Sequence, residues 1–244
     1  MHRKYLAFDI ETCKVQPANA VDSRVGCPLG ISCAATIASC SGVPRLWHGG
    51  KSRSQPRNQM TRKEAQQLVN YLAKQVERGH TIVTWNGLGF DFDILAEESG
   101  LLATCKALAI AHVDMMFHVL GKIGFGVSLE SAARGMDMAG KHEGITGVEI
   151  PRLWAEGRWQ KVFDYVRQDA RLVLQLATVC EERRHLRWIT RSGRRRELRL
   201  PRGWLTVKAV ERLPEPNAFW CRSQWSRTRF AAWLHCVRPV KHRS

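Results

Sequence analysis

Apolar and polar positions along this chain alternate between two rhythms. Tyr5 to Ile10 is a bulky apolar run interrupted only by Asp9, the pattern of a buried strand beginning at residue 3 or 4. Leu29 to Cys40 is rich in small and β-branched residues and predicts a second strand, and Pro44 to Trp47 a short third, together an antiparallel meander. Gly49 to Met60 is polar and predicts an exposed loop. Thr61-Arg62-Lys63-Glu64 then has the form of a capping box, and Ala65, Leu68, Val69, Leu72 and Val76 follow at helical spacing, with Gly79 as the stop. Thr81 to Trp85 predicts a short buried strand, Phe90 to Ser99 a helix, and Ile110 to Val113 a fifth strand. Several short helices come next, then a long one over about 158–184. Pro201, Pro214 and Pro216 exclude one long helix beyond it, and Phe230 to Val237 predicts a short closing one. This β–α–β alternation excludes an all-helical fold and favours an α/β architecture, a mixed sheet with helices packed on it.

Three short motifs interrupt this pattern with charge. Phe8-Asp9-Ile10-Glu11-Thr12 places two carboxylates on one face at the end of a strand, because strand side chains alternate with period two. Asn86-Gly87-Leu88-Gly89-Phe90-Asp91 follows the short strand at 81–85. Tyr165-Val166-Arg167-Gln168-Asp169 puts a phenol and a carboxylate on one helix face a turn apart. Four carboxylates gathered at one point repel each other unless a positive charge intervenes. Two divalent cations about 3.5–4 Å apart would supply it and form a clamp for in-line phosphoryl displacement. Hard oxygen ligands favour Mg²⁺ or Mn²⁺ over zinc. Asp93 and Asp164 compete as carboxylates but read as surface or supporting residues.

At these motifs the chain resembles the DEDD superfamily of 3′-5′ exonucleases in its tyrosine-containing branch, as in the proofreading exonuclease domain of family B DNA polymerases and its stand-alone homologues. Asp9 and Glu11 match the first motif, Asp91 the second, and Asp169 with Tyr165 the third. Ser128-Leu129-Glu130-Ser131-Ala132-Ala133 is similar to a short helix of such proteins, and Lys141 is placed like a lysine of that branch. The resemblance covers roughly residues 1–182 and implies a ribonuclease H-like domain (1–186) with a central five-stranded sheet, followed by a basic Trp/Arg-rich extension (187–244). It further implies that Asp9 bridges two metals, that Glu11 and Asp169 hold the hydrolytic one, and that Asp91 serves the other. Since a phenol titrates near pH ~10, Tyr165 would orient the attacking water instead of deprotonating it. The implied activity is release of nucleotides from the 3′ end, with DNA favoured over RNA by analogy. An exoribonuclease, or a binding module that has lost catalysis, stays open as an alternative, and a separate polymerase or repair protein is a possible partner.

Charge adds a second feature. Of the net +16, residues 183–244 contribute 17 Lys/Arg against three acids, while the first 182 residues are nearly neutral with 21 basic and 19 acidic residues. Such asymmetry suits a polyanion. Arg194, Arg195 and Arg196 are candidate phosphate contacts, as are Lys141 and Asn86; Lys141 reads equally as a solvated loop lysine and Asn86 as a pin for its own loop. Phe90 reads as core before base-stacking wedge. Five of the nine tryptophans also fall in the extension, where they either stack on unpaired bases or pack it onto the domain, the second being favoured. The absence of an 18-residue apolar run argues against a membrane span, and the early Asp9 against a signal peptide. The eight cysteines show no C-x-x-C pair, consistent with reduced thiols in a cytoplasmic protein.

Overall fold

The computed structural model describes residues 3–15, 28–138, 146–216 and 226–235. Its centre is a five-stranded sheet in the order β3-β2-β1-β4-β5, formed by β1 (Tyr5–Thr12), β2 (Ile31–Ala38), β3 (Arg45–His48), β4 (Thr81–Thr84) and β5 (Val113–Asp114). β1 pairs antiparallel with β2 and β2 with β3, whereas β4 and β5 run parallel to β1, so the sheet is mixed and the meander is present. The register of β1 on β2 shifts between Glu11 and Thr12, a local irregularity at the strand's acidic end.

Period-two alternation divides the core into two layers. Tyr5 and Ala7 of β1 point to the layer filled by α7 (Trp159–Arg183), including Val166, Ala170 and Val173. Leu6, Phe8 and Ile10 point the other way, onto α1 (Arg62–Glu77), α2 (Asp91–Ser99) and α3 (Leu102–Ala111), where Leu68, Leu72, Phe92 and Leu95 pack. α1 begins as its sequence predicts. The Thr61 hydroxyl accepts from the Glu64 amide, and the Glu64 carboxylate accepts from the Thr61 amide at 2.7 Å. The strand expected over Ile110–Val113 is corrected. α3 continues through Ala111, and β5 is only two residues long, because the small apolar residues of 102–111 extend the helix and Asp114 stops the strand by capping α4 (Met115–Ile123).

The described residues of the basic extension are folded onto this body. α7 ends at Arg184, in the left-handed conformation with φ 59°, and the chain returns as a hairpin of β6 (His185–Ile189) and β7 (Arg195–Arg199). The 186/187 boundary drawn from sequence lies inside β6. The hairpin rests on α5 (Leu129–Gly135), where a side chain at Gly135 would collide with the backbone of Arg187 and Trp188. The Ser131 hydroxyl donates to the Ile189 carbonyl. α6 (Ile150–Ala155) packs against α7, while α8 (Val207–Glu211) and α9 (Arg227–His235) close the layer beyond α4. Trp204 is buried, its indole N–H donating to the Ala177 carbonyl at 3.1 Å, and Trp233 is buried as well. For Trp188, Trp204 and Trp233 packing therefore replaces base stacking.

Candidate metal centre

The site grows from the end of β1. Asp9 and Glu11 share the parity of Tyr5 and Ala7 and so face α7, whose inner surface presents Tyr165 and Asp169 one turn apart. One carboxylate oxygen from each of Asp9, Glu11 and Asp169 can be chosen so that all three lie within 4.8 Å of one another. Glu11 and Asp169 are buried, at 8% and 4% exposure, so water screens them poorly. At an effective dielectric constant of about 20, two unit charges at this spacing repel by about 3 kcal/mol. A set of three, all oxygen donors, fits a hard divalent cation.

Asp91 approaches from the other side of β1. It opens α2, and its Oδ1 accepts the Ile10 amide N–H at 2.9 Å, which ties the second motif to the strand carrying the first. Burial pushes its carboxyl up to about 7, the negative charges of Asp114 and Asp169 add to the rise, and the Ile10 bond opposes it. Asp91 thus stands beside the three-carboxylate cluster, close enough to feel Asp169, yet anchored to backbone. Tyr165 is buried at 3% exposure, and its hydroxyl looks toward the turn at Gly147, where an added Cβ would lie 3.9 Å away.

The other candidates are distributed differently. Asn86 adopts φ 73° and donates its amide to Asp114 Oδ1 at 3.0 Å; its own Oδ1 is buried with no hydrogen-bond partner among the described residues. Phe90 precedes α2 and packs partly buried against the layer of α1 and α2. Lys141 lies outside the described residues. Asp164 is exposed and pairs with Arg167 at 3.1 Å, whereas Asp93 is buried at 4% exposure on α2, which leaves the supporting of its two readings. Arg194, Arg195 and Arg196 do not form one surface. Pleating turns Arg195 and Arg196 to opposite faces, Arg195 bonds Asp137 at 2.6 Å, and Arg194 belongs to the hairpin's turn.

Asp114 is the supporting residue that the motifs do not reveal. Fully buried, it accepts the amides of Asn86, Leu88 and Phe117 at 2.9–3.0 Å, so one carboxylate caps α4 and shapes the turn before Asp91. Its sequence signal is an Asp directly before the apolar run Met115-Met116-Phe117, the position of an N-cap. Beneath that turn, Thr84 Oγ1 accepts from Gly87 and contacts His112 Nε2 at 3.0 Å, while His112 Nδ1 lies 2.6 Å from the Ala109 carbonyl. A neutral ring donating from Nδ1 satisfies the chain of bonds, and burial holds His112 down at about 4.

The fold and the site together define a ribonuclease H-like α/β protein with a carboxylate centre at the end of its first strand. Residues 39–181 match the RNase_H superfamily, and the chain belongs to it. That span contains Asp91, Tyr165 and Asp169 and leaves out β1 with Asp9 and Glu11. A solved structure of similar fold is the family B DNA polymerase from the hyperthermophilic archaeon Pyrobaculum calidifontis, with a TM-score of 0.53 and 18% identity over 74% of this chain and 25% of the polymerase. This chain therefore spans about a quarter of that protein's length. No curated protein matches the sequence. No helix among the described residues is long and apolar enough to cross a membrane.

Proposed function

We propose that the protein is a metal-dependent 3′-5′ exonuclease acting on single-stranded DNA. The observation that carries this reading is the convergence of Asp9, Glu11 and Asp169 with Asp91 anchored beside them. These four residues would hold two divalent cations, Mg²⁺ or Mn²⁺. When bound, such ions supply Lewis-acid activation of water and neutralise the oxygen that leaves. The chain's own part is to fix the carboxylates before substrate arrives, through the bond of Asp91 to Ile10 and the packing of α7 on β1. Tyr165, one turn before Asp169, would orient the attacking water through its hydroxyl, and burial of its ring fixes where that hydroxyl sits.

The DNA strand itself is held by the basic hairpin. Ile189 is bonded to Ser131 near the start of α5, and Val127 just before α5 accepts the indole N–H of Trp85, which follows β4 at the acidic end of the sheet. The turn with Arg191 and Arg194 extends from that side, and both arginines are exposed. Their charge attracts the phosphate backbone without reading sequence.

The test uses single-stranded DNA and RNA of one sequence, labelled at either end, with Mg²⁺ or Mn²⁺. The expected result is stepwise shortening from the 3′ end of DNA, releasing 5′-monophosphates, lost in EDTA and in Asp9→Ala. Equal or faster shortening of RNA would reassign the substrate, cleavage of a circular strand would make the enzyme an endonuclease, and activity retained by Asp9→Ala would end the metal reading.

A further inference from the structure

The turn that delivers Asp91 is held from two sides, and the second side comes from the far end of the chain. Asp114 binds the amides of Asn86 and Leu88. The Leu88 carbonyl points the other way and accepts the buried indole N–H of Trp233 at 2.7 Å, a contact across 145 residues of sequence. Next to it, Gly89 leaves room for the Phe230 ring, which an added Cβ would approach to 2.6 Å. Phe230 in turn packs on Phe117, in the first turn of the helix that Asp114 caps, with ring centroids 6.4 Å apart. α9 is fixed in place independently of this turn. Arg227 donates to the carbonyls of Val210 and Leu213 at 2.9 and 2.8 Å, and Ala231 and Leu234 are buried.

We infer that Trp233 and Phe230 are positioning residues for the metal centre, acting through Leu88 and Gly89 on Asp91. α9 closes the turn like a backplate, so the spacing between Asp91 and the Asp9–Glu11–Asp169 cluster depends on a helix in the basic extension. The logic is geometric. Phe92 N–H bonds the Gly87 carbonyl at 2.9 Å, so the turn and the first residues of α2 move as one piece. Asp114 and Thr84 hold the turn at its amides and the Ile10 bond holds Asp91 at the turn's end; the Trp233 bond adds a hold at the Leu88 carbonyl, the side those contacts leave open. The role rests on the metal-dependent reading proposed above, yet it makes a prediction about the metal-free protein too.

The experiment uses the full chain with Trp233→Phe, which keeps most of the ring and removes the N–H, and Phe230→Leu as a second variant. Val69→Ala, buried on α1, serves as a control for general loss of stability. Hydrogen exchange of peptides spanning 84–92, in EDTA, should rise about fivefold to tenfold in Trp233→Phe, as expected for loss of one buried hydrogen bond, and not in the control. The Mn²⁺ concentration for half-maximal binding, read by calorimetry, should rise by a similar factor, with kcat at saturating Mn²⁺ little changed. Unchanged exchange at 84–92, or an equal rise in Val69→Ala, overturns the inference. If the wild-type chain binds Mn²⁺ but cleaves nothing, the nuclease reading fails while the exchange and binding arms still decide this one. If it binds no Mn²⁺, exchange alone decides.

Discussion

Replacing His118 by Asn should flatten the acid limb of the protein's stability curve. His118 is buried on α4, its Nδ1 accepts the Leu205 amide at 3.2 Å, and the Trp204 ring stands edge-on to it at 5.5 Å. Burial first, and the Lys122 charge second, hold it down at about 4; His112 is held at about 4 by burial. Both folded values lie below that of free imidazole, so between pH ~4 and ~6.5 the unfolded chain binds protons that the folded chain refuses, and stability falls as pH falls through that window. Each shift corresponds to about 3 kcal/mol lost once pH ~4 is reached. Asp91 works in the opposite sense. Its folded value of about 7 stands above that of a free carboxyl, so it stabilises the protonated folded form and loses that contribution as pH rises. At pH ~5.5, each histidine leaves the unfolded chain richer by about 0.9 proton and Asp91 leaves the folded chain richer by about as much. These three groups together contribute about 1 kcal/mol per pH unit to the slope. His118→Asn keeps an acceptor for Leu205 and removes the titration, so the slope should fall by about 1.2 kcal/mol per pH unit; Asp91→Asn removes the opposing group and should raise it. Asp114, also raised by burial, keeps Asp91 beside it in His118→Asn, so that comparison reads the histidine alone. Urea unfolding followed by tryptophan fluorescence in EDTA, from pH 4.5 to 7.5, reads these slopes. An unchanged slope in His118→Asn would refute the assignment of the acid limb to this residue.

Three further outcomes are expected. Tyr165→Phe should slow turnover about tenfold to a hundredfold with little change in the Kd for single-stranded DNA, measured under single-turnover conditions, because only the water-orienting hydroxyl is removed. Trp204→Ala should cost about 3–5 kcal/mol in urea unfolding, since it empties a buried site and leaves the Ala177 carbonyl without its indole donor. Arg191→Glu with Arg194→Glu should weaken DNA binding and lower the dependence of log Kd on log salt by about 0.7 for each phosphate no longer neutralised, leaving kcat at saturating DNA unchanged.

How far the sequence was legible depended on whether a feature is local. The capping box at Thr61, the strands at 5–12 and 31–38 and the long helix to Arg183 follow from neighbouring residues, and all stand where the pattern puts them. β5 did not, since two residues between helices leave no periodicity to read. The carboxylates of β1 and α7 were legible as one centre only through the order of their motifs; parity and helix phase put them on facing surfaces, but nothing local brings the surfaces together. The hairpin of β6 and β7 was missed because arginines occupy the positions where strand pattern is normally read, and only Leu186, Trp188, Ile189 and Leu198 carry the apolar signal. The bonds from Trp233 to Leu88 and from Arg3 to the Trp204 carbonyl leave no trace in sequence, since each joins groups far apart along the chain.

α7 meets different parts of the molecule at two stations along its length. Near its C-terminal end, Glu181 accepts the Tyr5 hydroxyl at 2.9 Å and Gly203 packs flush against it, while twelve residues earlier Asp169 faces Glu11. At 1.5 Å per residue the two stations are about 18 Å apart on one stiff rod. Such a rod is a lever arm. A tilt of about 3° about the Glu181 end displaces Asp169 by about 1 Å, a misplacement of the size that costs enzymes up to about a hundredfold in rate. The tolerance of the carboxylate centre is thus set in part at the far end of β1, where Arg3, Tyr5 and Trp204 decide the angle at which the rod lies.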